Sequence, residues 1–164
     1  MIPVEAHLFL NHIPVIGLLF GVVFLVIGVV RDSPFATRAG LHTFVAVGVI
    51  GIAVDASGLV AANILADAQW LDPKAVGTHR FAGILTLVLL VALAGSSGSV
   101  LLSLRHRPTC SRAVTRALLG LATIALGAAL WTAYLGGQLR HTELSGIADR
   151  TWLVSGTLED RPAA

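Results

Sequence analysis

The chain has 164 residues, 55% of them hydrophobic and only 12% charged, with a formal net charge of +2. A soluble domain of this size carries roughly twice that share of charge, and the mean hydropathy of +0.85 argues for a single membrane-embedded domain rather than a water-soluble enzyme. The lone cysteine, Cys110, excludes an internal disulfide, a multi-cysteine zinc site and a covalent CxxCH haem attachment.

Four apolar runs are long enough to cross a bilayer, which takes about 20 residues at 1.5 Å rise each. The first covers about residues 7–30 and carries Gly17 and Gly21 in a GxxxG arrangement. No cleavable signal peptide is expected, because no Lys or Arg precedes this run and it exceeds a signal's apolar core. The second covers about 40–58 or 40–66: Ser57-Gly58 offers an early stop, and Asn63, Asp67 and Gln69 favour it over the later one. Gly48, Gly51, Asp55, Gly58 and Ala62 share one stripe of this run at helical spacing. An early stop puts Asp55 near the mouth of the span and a late one puts it deeper, where a carboxylate is a candidate for function. The third run covers about 79–104 and includes Gly95-Ser-Ser-Gly-Ser99, whose hydroxyls can bond back to the preceding turn and bend the helix. The fourth covers about 113–135, with Gly120 and Gly127 one heptad apart. The small residues are expected to mark helix contacts, since close backbone approach drives association in lipid. Residues 142–164 form a polar tail with one apolar island, Trp152-Leu153-Val154.

Short loops make consecutive spans antiparallel. The fold expected is therefore all-α, an integral membrane four-helix up-down-up-down bundle over residues 1–141. Arg31 and Arg38 follow span one, and Arg105, Arg107, Arg112 and Arg116 lie around the turn between spans three and four. The positive-inside rule puts both of these loops in the cytoplasm and both termini outside. Trp70, Trp131, Tyr134 and Trp152 then fall on the outer side, where amphipathic rings sit at headgroup level. The expected location is a bacterial inner membrane, with the outside periplasmic. The basic loop follows from this topology, so no nucleic-acid partner is implied.

Four of the six histidines, His7, His12, His79 and His141, collect at the outer ends of three spans. His12 lies about 7.5 Å along the axis from His7 and about 140° around it, so the two do not share a helical face. Imidazoles on separate helices can ligate haem iron, copper or zinc, and bundles build cofactor sites this way. The bland alternative is polar anchoring at an interface. His12 and His79 are the preferred axial pair because both belong to spans, with His7 and His141 in reserve. Arg80 and Arg140 adjoin His79 and His141 and could pair with haem propionates. His42 and His106 lie toward the other side and read as polar punctuation and a solvated loop residue. No nucleotide-binding, hydrolase or HExxH motif is present. No inverted repeat stands out, which argues against a transporter.

The stretches His7-Leu-Phe-Leu-Asn-His-Ile-Pro-Val-Ile-Gly17 and Leu135-Gly-Gly-Gln-Leu-Arg-His-Thr-Glu-Leu144 resemble the two signatures of a family of four-span bacterial membrane proteins of unestablished function. The family's histidine at the start of span three is met by His79, although Arg80-Phe81 follow where that family has acidic residues. Ser57-Gly58 with Asp55 before it stands where the family has Thr-Gly followed by an acid. Related four-span modules are joined to, or encoded near, cytochrome domains, so the resemblance implies a redox role. Within the motifs, Pro14 removes a backbone donor and can open the helix, Asn11 can cap it, and Gly136-Gly137 can end span four abruptly.

These readings converge on an electron-transfer subunit that binds haem b near the outer face. It would pass electrons between quinol and an outward partner protein or larger complex, and would be at most a redox subunit of an oxidoreductase. The alternatives are a cofactor-free structural anchor and an outer-face copper or zinc site.

Overall fold

A computed structural model of the chain describes residues 2–66, 68, 71–106 and 110–140. Among them every regular element is an α-helix: α1 Ile2–Leu10, α2 His12–Val30, α3 Pro34–Ile64, α4 Pro73–Ser103 and α5 Arg112–Arg140. The helices α1 and α2 together, and α3, α4 and α5 singly, make four units long and apolar enough to cross a membrane. The aromatic and polar tail expected over 142–164, with Trp152, lies outside the described residues, as do Trp70 and Arg107.

Local chemistry explains the ends. Proline at N1 starts two helices, where its missing N–H costs nothing. Before Pro34, Ser33 Oγ accepts from Ala36 N at 3.3 Å; before Pro73, the Asp72 carboxylate accepts from Lys74 N at 2.9 Å. The α2–α3 turn is closed by Asp32 at φ 52°, with Ser33 N donating to Gly28 O at 3.0 Å, which is the Schellman pattern. α1 and α2 meet at Asn11, three residues before Pro14, where the Asn11 N–H still donates to His7 O at 3.0 Å. Asn11 itself has helical angles and makes no side-chain cap bond, so the capping role read from the sequence is not taken up.

Neighbouring helices run antiparallel. The helices α2, α3, α4 and α5 form a closed ring in which α5 packs back on α2, and α1 packs on α3. Where α2 crosses α3, Gly17 meets Val47, Gly21 meets the ring of Phe44 and Gly28 meets Thr37. Gly48 of α3 meets Ala94 and Leu90 of α4. The interior is built from Leu18, Leu25, Leu41, Phe44 and Leu93, and from Ala122 and Ala125 on α5. Lipid supplies little hydrophobic drive between helices, so this glycine-and-alanine fit carries the association. Outside, Ile16, Leu19, Phe20, Ile52, Val88 and Ile124 are exposed, as contact with a bilayer requires.

Three expectations change. The helix of span two runs to Ile64, so Ser57-Gly58 does not stop it. The helix of span four runs through Gly136-Gly137 to Arg140. Gly120 and Gly127 have nothing within 4 Å; they lie on the outer face of α5, opposite its alanine seam. The segment Gly95–Ser99 stays helical, and Ser99 Oγ donates to Gly95 O at 2.9 Å. At the end where Arg38 and Arg112 lie, Arg38 Nη2 donates to the Leu104 carbonyl at 3.2 Å, and Arg112 pairs with Asp32 at 3.2 Å with both groups exposed.

Candidate functional site

The opposite end of the bundle holds the histidines. His7 sits one turn before Asn11, half-buried against α3. Its Nδ1 lies 3.2 Å from the Val54 carbonyl and 3.0 Å from Ser57 Oγ. A carbonyl only accepts, so Nδ1 carries the proton. Ser57 Oγ donates its own hydrogen to Val54 O at 2.7 Å and can accept from the ring. His79 lies in the second turn of α4, also half-buried. Its Nδ1 is 3.1 Å from the Thr132 carbonyl of α5 and must donate by the same logic. Below it, Thr86 and Thr132 hydroxyls meet at 2.9 Å, and Thr132 Oγ1 donates to Ala128 O, which ties α4 to α5 at this height. For neither ring does Nε2 have a hydrogen bond among the described residues.

Both rings line one partly open cavity of about 220 Å³. Its walls are mostly apolar, from Pro14 and Val15 through Gly51 and Leu87 to Ala129 and Ala133. Its polar groups are Asn11, Asp55, Arg80, Thr86 and Thr132 besides the two histidines. The helices α2 and α4 are opposite members of the ring and α1 extends α2, so the imidazoles come from opposite sides of the bundle. Asp55 and Arg80 are exposed and make no hydrogen bond or ion pair among the described residues. With α3 running nine residues past Asp55, that carboxylate lies about 13 Å from the helix end.

His12 is not part of this arrangement. It is exposed, and its Nδ1 lies 2.9 Å from the carbonyl of Leu8 in the preceding turn. The structure therefore does not bring His12 and His79 together; His7 takes the inward position. The cause is the rotation of about 140° between residues five apart, which turns one ring inward only by turning the other out. His42 and His106 are exposed. Arg140 ends α5, but its side chain, and His141 entirely, lie outside the described residues. Among those residues no group of three His, Cys, Asp or Glu side chains could hold a metal ion.

The haem expectation can be set against these groups. Two imidazoles, each with Nδ1 donating to a carbonyl, are a donor set that haem iron takes, and such an orienting bond raises ligand basicity. The 220 Å³ is below the roughly 300–1,000 Å³ of pockets for drug-sized ligands, so the cavity encloses only part of a macrocycle. The donor chemistry fits.

Sequence reasoning missed the seats. A Cβ at Gly58 would stand 2.9 Å from His7 Cε1, and one at Gly136 would stand 2.9 Å from His79 Cε1. Gly136 was visible as half of a Gly-Gly pair, but that pair reads as a helix stop. No protein-family model, no curated protein and no solved structure matches the chain.

Proposed function

We propose that the chain is a haem b-binding electron-transfer subunit of a bacterial inner membrane, with both termini and the histidine cavity on the periplasmic side. The observation that supports it is the pair of imidazoles from opposite sides of the bundle, lining one apolar cavity with Nε2 of each unengaged among the described residues. His7 and His79 would be the axial pair, replacing the pairing of His12 with His79. Arg80 at the rim would pair with a propionate, a charge-assisted contact. Iron bound there would supply one-electron transfer between quinol in the membrane and an outward redox partner. The chain's own residues hold the imidazoles in one tautomer, keep the walls apolar and leave the Asp55 carboxylate at the cavity wall.

The test is a reduced-minus-oxidised visible spectrum of protein made with ample haem. A b-type band is expected. It should vanish in His7→Ala and in His79→Ala and persist in His12→Ala. A protein without the band, or one whose band needs His12 and not His7, overturns the assignment. The second reading, a cofactor-free anchor subunit, is favoured by Gly120 and Gly127, which face outward with nothing within 4 Å and would suit close packing against another helix. On that reading the histidine variants lose assembly with a partner complex and no absorbance changes.

A further inference from the structure

The two histidines share a carbonyl-and-glycine setting, to which His7 adds a contact of Nδ1 with Ser57 Oγ at 3.0 Å. His7 Nδ1 meets the carbonyl of Val54, and its ring edge rests on Gly58, four residues further along α3. His79 Nδ1 meets the carbonyl of Thr132, and its ring edge rests on Gly136, four residues further along α5. The match is numerical as well. The Nδ1–carbonyl distances are 3.2 and 3.1 Å. A Cβ on the glycine would stand 2.9 Å from Cε1, 3.3 or 3.4 Å from Nδ1, and 3.5 or 3.6 Å from Nε2. In a helix, the carbonyl of residue i lies near the side chain of residue i+4. A glycine there lets an imidazole lie against the backbone and reach the carbonyl one turn before it, which at Val54 is shared with Ser57 Oγ.

The topology repeats too. Mapping α1 with α2 onto α4, and α3 onto α5, carries the ring of helices onto itself with directions preserved. His7 to Gly58 spans 51 positions and His79 to Gly136 spans 57, so the two hairpins differ mainly in connection length.

We propose that the chain is one imidazole-seating hairpin built twice, with Gly58 and Gly136 as its positioning residues and the cavity taking a ligand that accepts an electron pair from each of two equivalent donors. Each seat fixes the Nδ1–H tautomer and leaves Nε2 as the base. The identity of the ligand rests on the haem reading. The seats themselves do not rest on it.

The experiment uses the full chain without haem, labelled with ¹⁵N-histidine in lipid nanodiscs, well above the ordinary imidazole pKa of about 6.5. Long-range proton–nitrogen spectra report the tautomer of each ring, with His7→Gln and His79→Gln as assignments. Both rings are expected as Nδ1–H in the unaltered protein, a result that needs no variant to fold. Gly58→Ala should abolish that signature for His7 alone and Gly136→Ala for His79 alone, while Gly127→Ala changes neither. Titrated with haem, each of the first two variants should bind about 10–100-fold more weakly, as loss of an orienting bond does at other metal sites, and by similar factors. An Nε2–H tautomer at either ring of the unaltered protein, or glycine variants that leave both tautomers in place, overturns the proposal. Intact tautomers with no haem band overturn the haem reading and leave the seats standing; a haem band with wrong tautomers does the reverse.

Discussion

Ser97 Oγ is fully buried on α4 and has no hydrogen-bond partner among the described residues. An orphaned buried hydroxyl costs about 1–3 kcal/mol. Ser97→Ala is therefore expected to raise thermal stability in detergent; a fall in the unfolding temperature would show that the hydroxyl is engaged. At this scale the sequence was readable in kind more than in detail. That histidines gather at one end follows from their placement at span ends. That His7 faces inward and His12 outward does not, because the rotation between them allows either choice. The partners were hidden for a different reason: a backbone carbonyl has no signature in a sequence, and Val54 and Thr132 offer theirs whatever their side chains. Asp55 was legible as an unusual acid, and its place beside the cavity became clear only once α3 was seen to run past Gly58.

The helices separate two kinds of glycine that look alike in the sequence. Gly21 lies under the fully buried ring of Phe44, so Gly21→Ala must displace a packed side chain and should cost about 1–3 kcal/mol, the usual range for overpacking. Gly120 and Gly127 meet nothing within 4 Å, and replacing either with alanine should instead gain up to about 1 kcal/mol from helix propensity alone. Measured unfolding midpoints of the three variants check both signs. If Gly127→Ala destabilises the isolated protein, a helix contact on that face has been overlooked. Helix existence was plain from length and apolarity. Helix ends were harder. Ser33-Pro34 and Asp72-Pro73 are cap-and-proline starts that stand several residues before the apolar runs, so reading apolarity alone began both helices late. Gly136-Gly137 misled because glycine permits a stop without requiring one, and here Gly136 makes room for the His79 ring.

For the molecule as a whole, the four-span bundle was the most legible feature, since the bilayer's thickness dictates span length and short loops dictate antiparallel neighbours. Orientation relative to the cell is a prediction of the arginine distribution. Cys110, half-exposed beside Arg112 at the arginine end, offers a direct check. A membrane-impermeant thiol reagent should label it in inverted vesicles and not in right-side-out ones; the opposite pattern would reverse the topology and put the histidine cavity inside. The two-fold plan was not legible, because the hairpins share little beyond a histidine and a glycine placed 51 or 57 positions apart.

Asn11 keeps helical angles and donates its N–H to His7 O at 3.0 Å, so α1 and α2 act as one rod of 27 residues, Val4–Val30. The outer end of that rod packs on α3 beside His7, and its lower part meets α3 through Gly17, Gly21 and Gly28. The height of the His7 ring over the cavity is therefore set along the whole length of the rod, and a slip at the glycine seam would carry the imidazole with it.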